Sequence, residues 1–349
     1  MRATTIHGAH DIRLEDVPDP SIQRPTDALV RVTASCVCGS DLWPYRGITP
    51  TPRPRRIGHE FVGVVEEVGA EVTTLKTGDF VVAPFVLSDG TCANCRNGVH
   101  TSCLNGASWG GRDEHGLRID AGQGEAVRVA MADGTLVATP EHPDEDLLPA
   151  ILALSDVMAT GHHAALAAGV GAGTTVAVVG DGAVGLCAVL AAKRLGAERI
   201  VAMSRHADRQ AVATGFGATD IVAERGDDGA AAVRDLFDGI GPDAVLECVG
   251  TKESMAQAIA STRPGGKVGY VGVPNGGPEL PVRTLFFANV SVGGGVAPVR
   301  AYLDELLPEV LDGSLDPGPV FDRQLPLSDV AEAYAAMDER RSIKAMLRP

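Results

Sequence analysis

Apolar and polar positions alternate along Ala28-Leu29-Val30-Arg31-Val32, and Phe61–Val68 carries the same alternation. A period of two places successive side chains on opposite faces of a strand, so both segments are expected as half-buried strands, with the Gly, Pro and Asp clusters between them as turns. Residues 1–17 read as short strands of the same kind. This β-rich pattern, of barrel or sandwich type, lasts to about residue 150. Beyond it the periodicity changes. Short apolar runs at Thr175–Val179, Arg199–Met203, Ala244–Glu247 and 267–273 are separated by Ala-rich helical stretches. Strands buried on both faces and alternating with helices are the signature of a parallel, doubly wound sheet. Helices are expected at 299–312 and 327–339. A strand-like segment at 342–347 follows the end of the parallel sheet and is expected to return to the first unit. The chain shows no internal repeat and no low-complexity tract.

Composition narrows the reading. A length of 349 residues makes two domains the default, and 45% hydrophobic residues against 21% charged exclude disorder as the main state. The 30 Lys and Arg face 45 Asp and Glu, a formal charge of −15, and such a surface repels phosphate backbones and anionic headgroups. Nucleic acid and membrane surfaces are therefore not expected as partners. No apolar run reaches the length of a membrane span, and the start lacks a basic then apolar leader, so a cytoplasmic setting is expected. Seven cysteines are an odd number in a chain too long to need disulfide staples. They read as thiols kept for metal or chemistry.

In the second half, Val176-Ala-Val-Val-Gly180-Asp-Gly182-Ala183-Val184-Gly185 lies directly between a strand and an Ala/Leu-rich helix. Gly180 permits the tight turn, Gly182 lets the backbone approach a pyrophosphate, Gly185 lets helix and strand pack closely, and the helix N-terminus stabilises the anion. A dinucleotide is expected here. The next strand ends Val201-Ala-Met-Ser204-Arg205-His206, with no acid where a ribose 2′-hydroxyl would need an acceptor. Ser204 and Arg205, with Arg209 one helical turn on, offer donors and positive charge instead. These suit a 2′-phosphate, so NADP is the expected cofactor.

Two ligand sets stand in the first half. Gly58-His59-Glu60 lies 21 positions after Cys38-Gly39-Ser40-Asp41, and a thiolate with an imidazole begins a zinc site. Asp156, at the join between the halves, is a possible third ligand, though spacing alone does not separate it from a helix N-cap. Three protein ligands would leave a fourth position for water or substrate, as a catalytic zinc requires. The second set is Asp89-Gly-Thr-Cys92-Ala-Asn-Cys95, followed by Cys103. Three thiols within twelve residues on a Gly/Asn-rich loop read as a structural zinc lobe, for which Asp89 is the preferred fourth ligand and His100 competes.

With these residues in view, the chain resembles the zinc-containing medium-chain alcohol dehydrogenase family over almost its whole length. Gly58-His59-Glu60-x-x-Gly63-x5-Gly69-x-x-Val72 agrees with that family's zinc signature, and Cys38-Gly39-Ser40-Asp41, Gly78-Asp79, the glycine fingerprint and Arg263-Pro-Gly-Gly-Lys267 fall in the expected order. The resemblance implies a catalytic zinc on Cys38, His59 and Asp156, with Glu60 able to ligate it in the resting state and Asp41 orienting His59. It also implies that Glu247 to Gly250, with Val249, and the stretch from Val271 to Val273 run beside the nicotinamide. A homodimer or homotetramer, paired through the strand around residues 290–294, is implied too. Two departures from the family pattern matter. Asp89 stands where the lobe usually has a first cysteine, a harder ligand that is expected to hold zinc less tightly. Trp43 stands where many members place a proton-relay histidine.

The reading that results is an α/β fold with a chaperonin-10-like, β-rich catalytic domain over 1–154, a Rossmann domain over 155–296, and a return to the catalytic domain over 297–349. The expected function is zinc-dependent oxidation of a small alcohol to an aldehyde or ketone, reversibly, by hydride transfer to NADP, with two zinc ions per subunit. Ser40 is the expected first proton acceptor, acting as a relay. The remaining Cys36, Cys187 and Cys248 read as small buried side chains. His162 and His163, on an Ala-rich helix, read as packing or phosphate-proximal residues. Trp43 and Trp109 are placed either in a substrate pocket or in the core. A polyol or sugar dehydrogenase is the alternative within the same chemistry. A non-catalytic NADP-binding structural or regulatory protein is the alternative from another class, and an intact Cys38, His59 and Asp156 argues against it.

Overall fold

The computed structural model describes residues 1–113, 115–274 and 280–349. The chain divides into two compact units, Met1–Asp156 with Pro298–Pro349, and Val157–Ala297.

The first unit opens with β1 (Arg2–Gly8), β2 (Asp11–Asp16), β3 (Ala28–Cys36), β4 (Arg55–Arg56), β5 (Phe61–Val68), β6 (Phe80–Ala83), β7 (Ala126–Val129) and β8 (Val137–Ala138). The alternating pattern is realised in β3, where the buried Ala28, Val30 and Val32 pack in one core with Phe61 and Val65 of β5, Val81, Val127 and Val129. β3 and β5 pair antiparallel with two bulges, which add twist and let a sheet curve on itself. Trp109 belongs to this core, edge-on to Phe61 at 5.2 Å, its indole N–H donating to Pro84 O at 3.2 Å. Of the two placements open to Trp109 the core is therefore the one adopted, because its N–H finds a partner there. Trp43 is half-buried.

The second unit holds β9 (Thr175–Val179), β10 (Arg199–Met203), β11 (Asp220–Val222), β12 (Ala244–Glu247), β13 (Lys267–Tyr270) and β14 (Ser291–Gly294). All are parallel, in the order β11-β10-β9-β12-β13-β14. This is the doubly wound order whose direction reverses between the first and fourth strands, and ligands of such sheets bind at the carboxyl ends of the strands at that point. β13 ends at Tyr270, three residues before the apolar run at 267–273 does. The chain then returns to the first unit through the helix Val299–Leu311, β15 (Arg323–Pro326), the helix Val330–Asp338 and β16 (Ala345–Arg348). β16 starts three residues later than the strand-like segment at 342–347 and pairs antiparallel with β3, Met346 opposite Cys36. The tail thus joins the β-rich unit through backbone hydrogen bonds. Among the described residues, no helix is long and apolar enough to cross a membrane.

Candidate functional site

Antiparallel pairing of β3 and β5 builds the first ligand cluster. Ser35 stands opposite Phe61, and Cys36 N donates to Glu60 O at 3.3 Å, so the residues just past β3 meet those just before β5. Cys38 therefore arrives beside His59 and Glu60 although they are far apart in sequence. Its thiol accepts hydrogen bonds from Ser40 N at 3.5 Å and Ser40 Oγ at 3.3 Å at the start of a short 3-10 turn. Asp156, the last residue of the unit's first segment, brings Oδ2 to 3.5 Å from Cys38 Sγ and 3.8 Å from His59 Nε2. Glu60 Oε1 is 3.9 Å from the same nitrogen. One ligand atom from each of Cys38, His59, Glu60 and Asp156 fits within 4.8 Å of all the others.

The electrostatics of this cluster favour a cation. Burial and the Glu60 carboxylate push the Cys38 thiol above its ordinary pKa, so a thiolate here needs a countercharge. Burial would lower the His59 pKa, but Asp41 and Cys38 more than reverse it and hold the ring well above its usual value. The donor set of one sulfur, one imidazole nitrogen and carboxylate oxygens is that of a catalytic zinc site. Asp41 Oδ1 lies 3.4 Å from His59 Nδ1, which leaves Nε2 as the metal-facing atom.

Glu60 is held from behind by a residue without any local sequence signal. Lys344 is buried and donates Nζ to Glu60 Oε1 at 2.8 Å and to Val37 O at 3.2 Å. Cys36, one of the cysteines read as a small buried side chain, donates its thiol to Glu60 Oε2 at 3.3 Å. Burial alone would lower the Lys344 pKa, yet the neighbouring Cys36 and Glu60 raise it well above the ordinary value, so the ammonium stays charged.

The second cluster is a loop closed on itself. Ligand atoms of Asp89, Cys92, Cys95 and Cys103 again lie within 4.8 Å of one another, with Cys92 Sγ 3.5 Å from Cys95 Sγ and 3.9 Å from Cys103 Sγ. His100 is outside this set. Backbone amides point at the ligands: Leu104 N and Cys95 N donate to Cys92 Sγ at 3.4 and 3.5 Å, and Asp89 N donates to Cys103 Sγ at 3.3 Å. The amides of Leu104 and Cys95 lower the Cys92 thiol to about 7. Burial works to raise the Asp89 carboxyl, but the Cys92 and Thr91 amides and the Asn105 side chain hold it well below the usual carboxylate range. Three sulfurs and a carboxylate in a self-contained loop suit a closed, tetrahedral zinc.

In the second unit, Gly180 has φ +116°, a left-handed backbone that favours glycine, and a Cβ at Gly185 would lie 1.9 Å from Gly180 O. Among the described residues, a Cβ at Gly182 would meet no neighbouring atom within 4 Å, so the backbone there leaves space for a ligand. The helix Ala183–Arg194, with Val184 in its first turn, starts at Gly182 without a side-chain cap, leaving its first amides directed outward. These features fit a bound pyrophosphate. Glu247 ends β12 opposite Val179 and accepts on Oε1 from Val249 N at 2.9 Å and Gly250 N at 2.8 Å, fixing the turn that carries Val249. Val271 is buried, while Val249 and Val273 are exposed.

The end of β10 departs from expectation in one respect. The strand carries no acid, but the glycine turn supplies one. Ser204 Oγ donates to Asp181 Oδ2 at 2.8 Å, and Arg209 Nη1 donates to Asp181 O at 3.1 Å and lies 3.6 Å from its Oδ1. Two of the three groups read as phosphate donors are thus engaged by Asp181, and Arg205 is the exposed cation. The sequence offered no means of foreseeing this, since residues 181 and 204 meet only when β9 and β10 pair.

Comparisons with known proteins agree with both units. Residues 24–141 match the alcohol dehydrogenase GroES-like domain, and residues 183–312 match the zinc-binding dehydrogenase family. The chain is 36% identical to a probable zinc-binding alcohol dehydrogenase of Mycobacterium tuberculosis, covering 100% of this chain and 89% of that protein. The chain belongs to the zinc-binding alcohol dehydrogenase family. Another relative in this family, zinc-type alcohol dehydrogenase B of Aspergillus flavus, is 32% identical over 100% of this chain and 81% of its own length. The solved structure of an alcohol dehydrogenase from a Thermus species superposes with a TM-score of 0.91 at 33% identity, covering 100% of this chain and 99% of that one. This zinc-type dehydrogenase is therefore an oxidoreductase with the chaperonin-10-like and Rossmann units of its family.

Proposed function

We propose that this dehydrogenase reversibly oxidises a small alcohol to an aldehyde or ketone with NADP, using a catalytic zinc on Cys38, His59 and Asp156 and a structural zinc on Asp89, Cys92, Cys95 and Cys103. The observation that carries the reading is the buried cluster of a thiol, an imidazole and an aspartate, with Ser40 Oγ 3.3 Å from the ligating sulfur. A zinc ion held there would supply Lewis acidity for polarising the alcohol. Cys38, His59 and Asp156 fix its position. Lys344 and Cys36 occupy both oxygens of Glu60 and hold that carboxylate back as a reserve ligand. The half-buried Ser40 hydroxyl takes the alcohol proton at Oγ and releases its own to solvent, because an isolated serine is not a base at neutral pH. A nicotinamide held beside Val249 would supply the hydride acceptor. Gly180, Gly182 and Gly185 would cradle the cofactor's pyrophosphate, and Glu247 holds the turn that presents Val249.

The preference for NADP rests on Arg205, exposed at the end of a strand that carries no acid. One charge-assisted contact corresponds to roughly a 10-fold to 150-fold preference. Measured kcat/KM with both cofactors and a panel of aldehydes and ketones, before and after chelation, tests the whole reading. We expect NADPH to be favoured, chelation to abolish turnover, and Arg205→Ala to erode the preference through the cofactor KM. Equal values, or a preference for NADH, would refute the cofactor assignment.

Assembly into a homodimer or homotetramer is proposed through β14. It is the edge strand of its sheet, and Val282, Phe286 and Phe287 on the preceding helix Val282–Ala288 are 71%, 74% and 68% exposed. An open strand edge beside large exposed apolar side chains is stable in water when a second copy covers it.

A further inference from the structure

Behind His59, side chains from three distant parts of the chain form a continuous polar network within the first unit. Tyr334, on the C-terminal helix Val330–Asp338, is fully buried, and its hydroxyl donates to Gln123 Oε1 at 3.0 Å. With its oxygen so engaged, the Gln123 amide turns Nε2 the other way, donating to Cys36 O at 2.9 Å and Asp41 Oδ2 at 3.3 Å. Asp41 Oδ2 also accepts from Cys38 N at 3.0 Å, and Oδ1 faces His59 Nδ1 at 3.4 Å. A carboxylate anchored twice at Oδ2 cannot rotate away from the imidazole without breaking both bonds. The backbone accommodates the network at close quarters. Gly58, directly before His59, has φ +108°, and a Cβ there would lie 2.5 Å from Gln123 Cγ and 2.8 Å from Gln123 N.

Burying an amide without partners is costly, and a residue chosen for packing alone would avoid that risk. Gln123 is fully buried with its oxygen and nitrogen both bonded, and such satisfied networks hold one arrangement rigidly. We propose that Gln123 and Tyr334 are positioning residues for the metal-binding imidazole: they lock the Asp41 carboxylate and, through it, the His59 orientation that presents Nε2 to zinc. The inference rests on the zinc assignment proposed above.

Its test follows release of zinc from holoenzyme into excess chelator. The release phase missing from Cys38→Ser protein belongs to the Cys38 cluster, and the remaining phase to the Asp89 loop. Gln123→Leu should release the Cys38-cluster zinc about 10-fold faster, at the lower end of the effect of outer partners on metal affinity. Tyr334→Phe, which keeps the ring and removes only the hydroxyl, should accelerate it about 3-fold, within the contribution of one neutral hydrogen bond. The double variant should be no faster than Gln123→Leu alone, and cofactor affinity and the loop phase should not change. An unchanged Cys38-cluster phase in both variants, or equal acceleration of both phases, would overturn the proposal. If Gln123→Leu does not fold, Tyr334→Phe decides alone. A wild-type protein with no phase dependent on Cys38 would overturn the zinc assignment and this inference with it.

Discussion

The two ligand clusters contain four residues each and are built in opposite ways. Asp89, Cys92, Cys95 and Cys103 come from one short loop, and the groups that point at them are mainly its own amides. Cys38, His59, Glu60 and Asp156 come from three separate stretches, and their partners are side chains of Asp41, Lys344 and Cys36. A loop that carries its own ligands and donors can close around an ion without the rest of the domain, which suits an ion that only stabilises. Ligands drawn from strand ends are placed by the whole sheet, and that rigidity is what a reacting centre needs. Under the proposed roles, the same division separates a site that would only bind zinc from one that would also leave room for substrate.

Breaking the side-chain-supported cluster should have the largest effect. Cys38→Ala should reduce turnover on the order of 1000-fold, since Lewis-acid stabilisation of several kcal/mol corresponds to a tenfold rate for each ~1.4 kcal/mol. Initial rates measure this, and a loss below tenfold would remove the cluster from the chemistry. A smaller change is expected beside the cluster. Ser40→Ala should keep both metals and cofactor affinity while slowing alcohol oxidation by about 100-fold. An unaltered rate, under conditions where chemistry limits, would mean that the proton leaves by another route.

The loop cluster should respond in stability and not in catalysis. Asp89→Ala should lower the melting temperature by several degrees, with about 2–4 °C expected per kcal/mol in a unit of this size, and leave the substrate KM of folded protein nearly unchanged. Differential scanning calorimetry alongside kinetics separates the two, and a selective loss of turnover would count against a structural role. The smallest effect concerns acid. The folded-state pKa of Asp89 is depressed, so its contribution to stability is present above the ordinary carboxylate value of about 4 and is lost as pH falls through the folded-state pKa. Asp89→Ala should therefore show a shallower fall in stability below about pH 4 than wild type. Parallel acid limbs would contradict that assignment.

What could be seen in the sequence follows the same division. The loop cluster is legible because its spacing is local, and the glycine turn is legible because strand, turn and helix are contiguous. Both fold units were visible in the switch from a period of two to alternating strands and helices. Lys344, Gln123 and Tyr334 were not visible, because they reach the Cys38 cluster only after β16, the 3-10 turn at Gly39–Asp41 and the last helix pack together. No short spacing encodes such contacts. Asp181 escaped for a related reason: an acid inside the glycine turn meets Ser204 only through the parallel pairing of β9 and β10. Trp109 shows the limit of residue type, since an aromatic side chain near a ligand loop in sequence serves equally well as core.

The central claim, two zinc sites per chain of which one reacts and one stabilises, is tested most directly by counting metal in three proteins purified without chelator. Elemental analysis should give two zinc ions per chain in wild type and one each in Cys38→Ala and Cys95→Ser. The remaining ion in Cys38→Ala should be accompanied by lost turnover and a near-normal melting temperature. That in Cys95→Ser should be accompanied by retained turnover and a lowered melting temperature. A wild-type ratio near one would remove one of the sites from the account. A ratio near zero, or variants with the two effects exchanged, would contradict it outright.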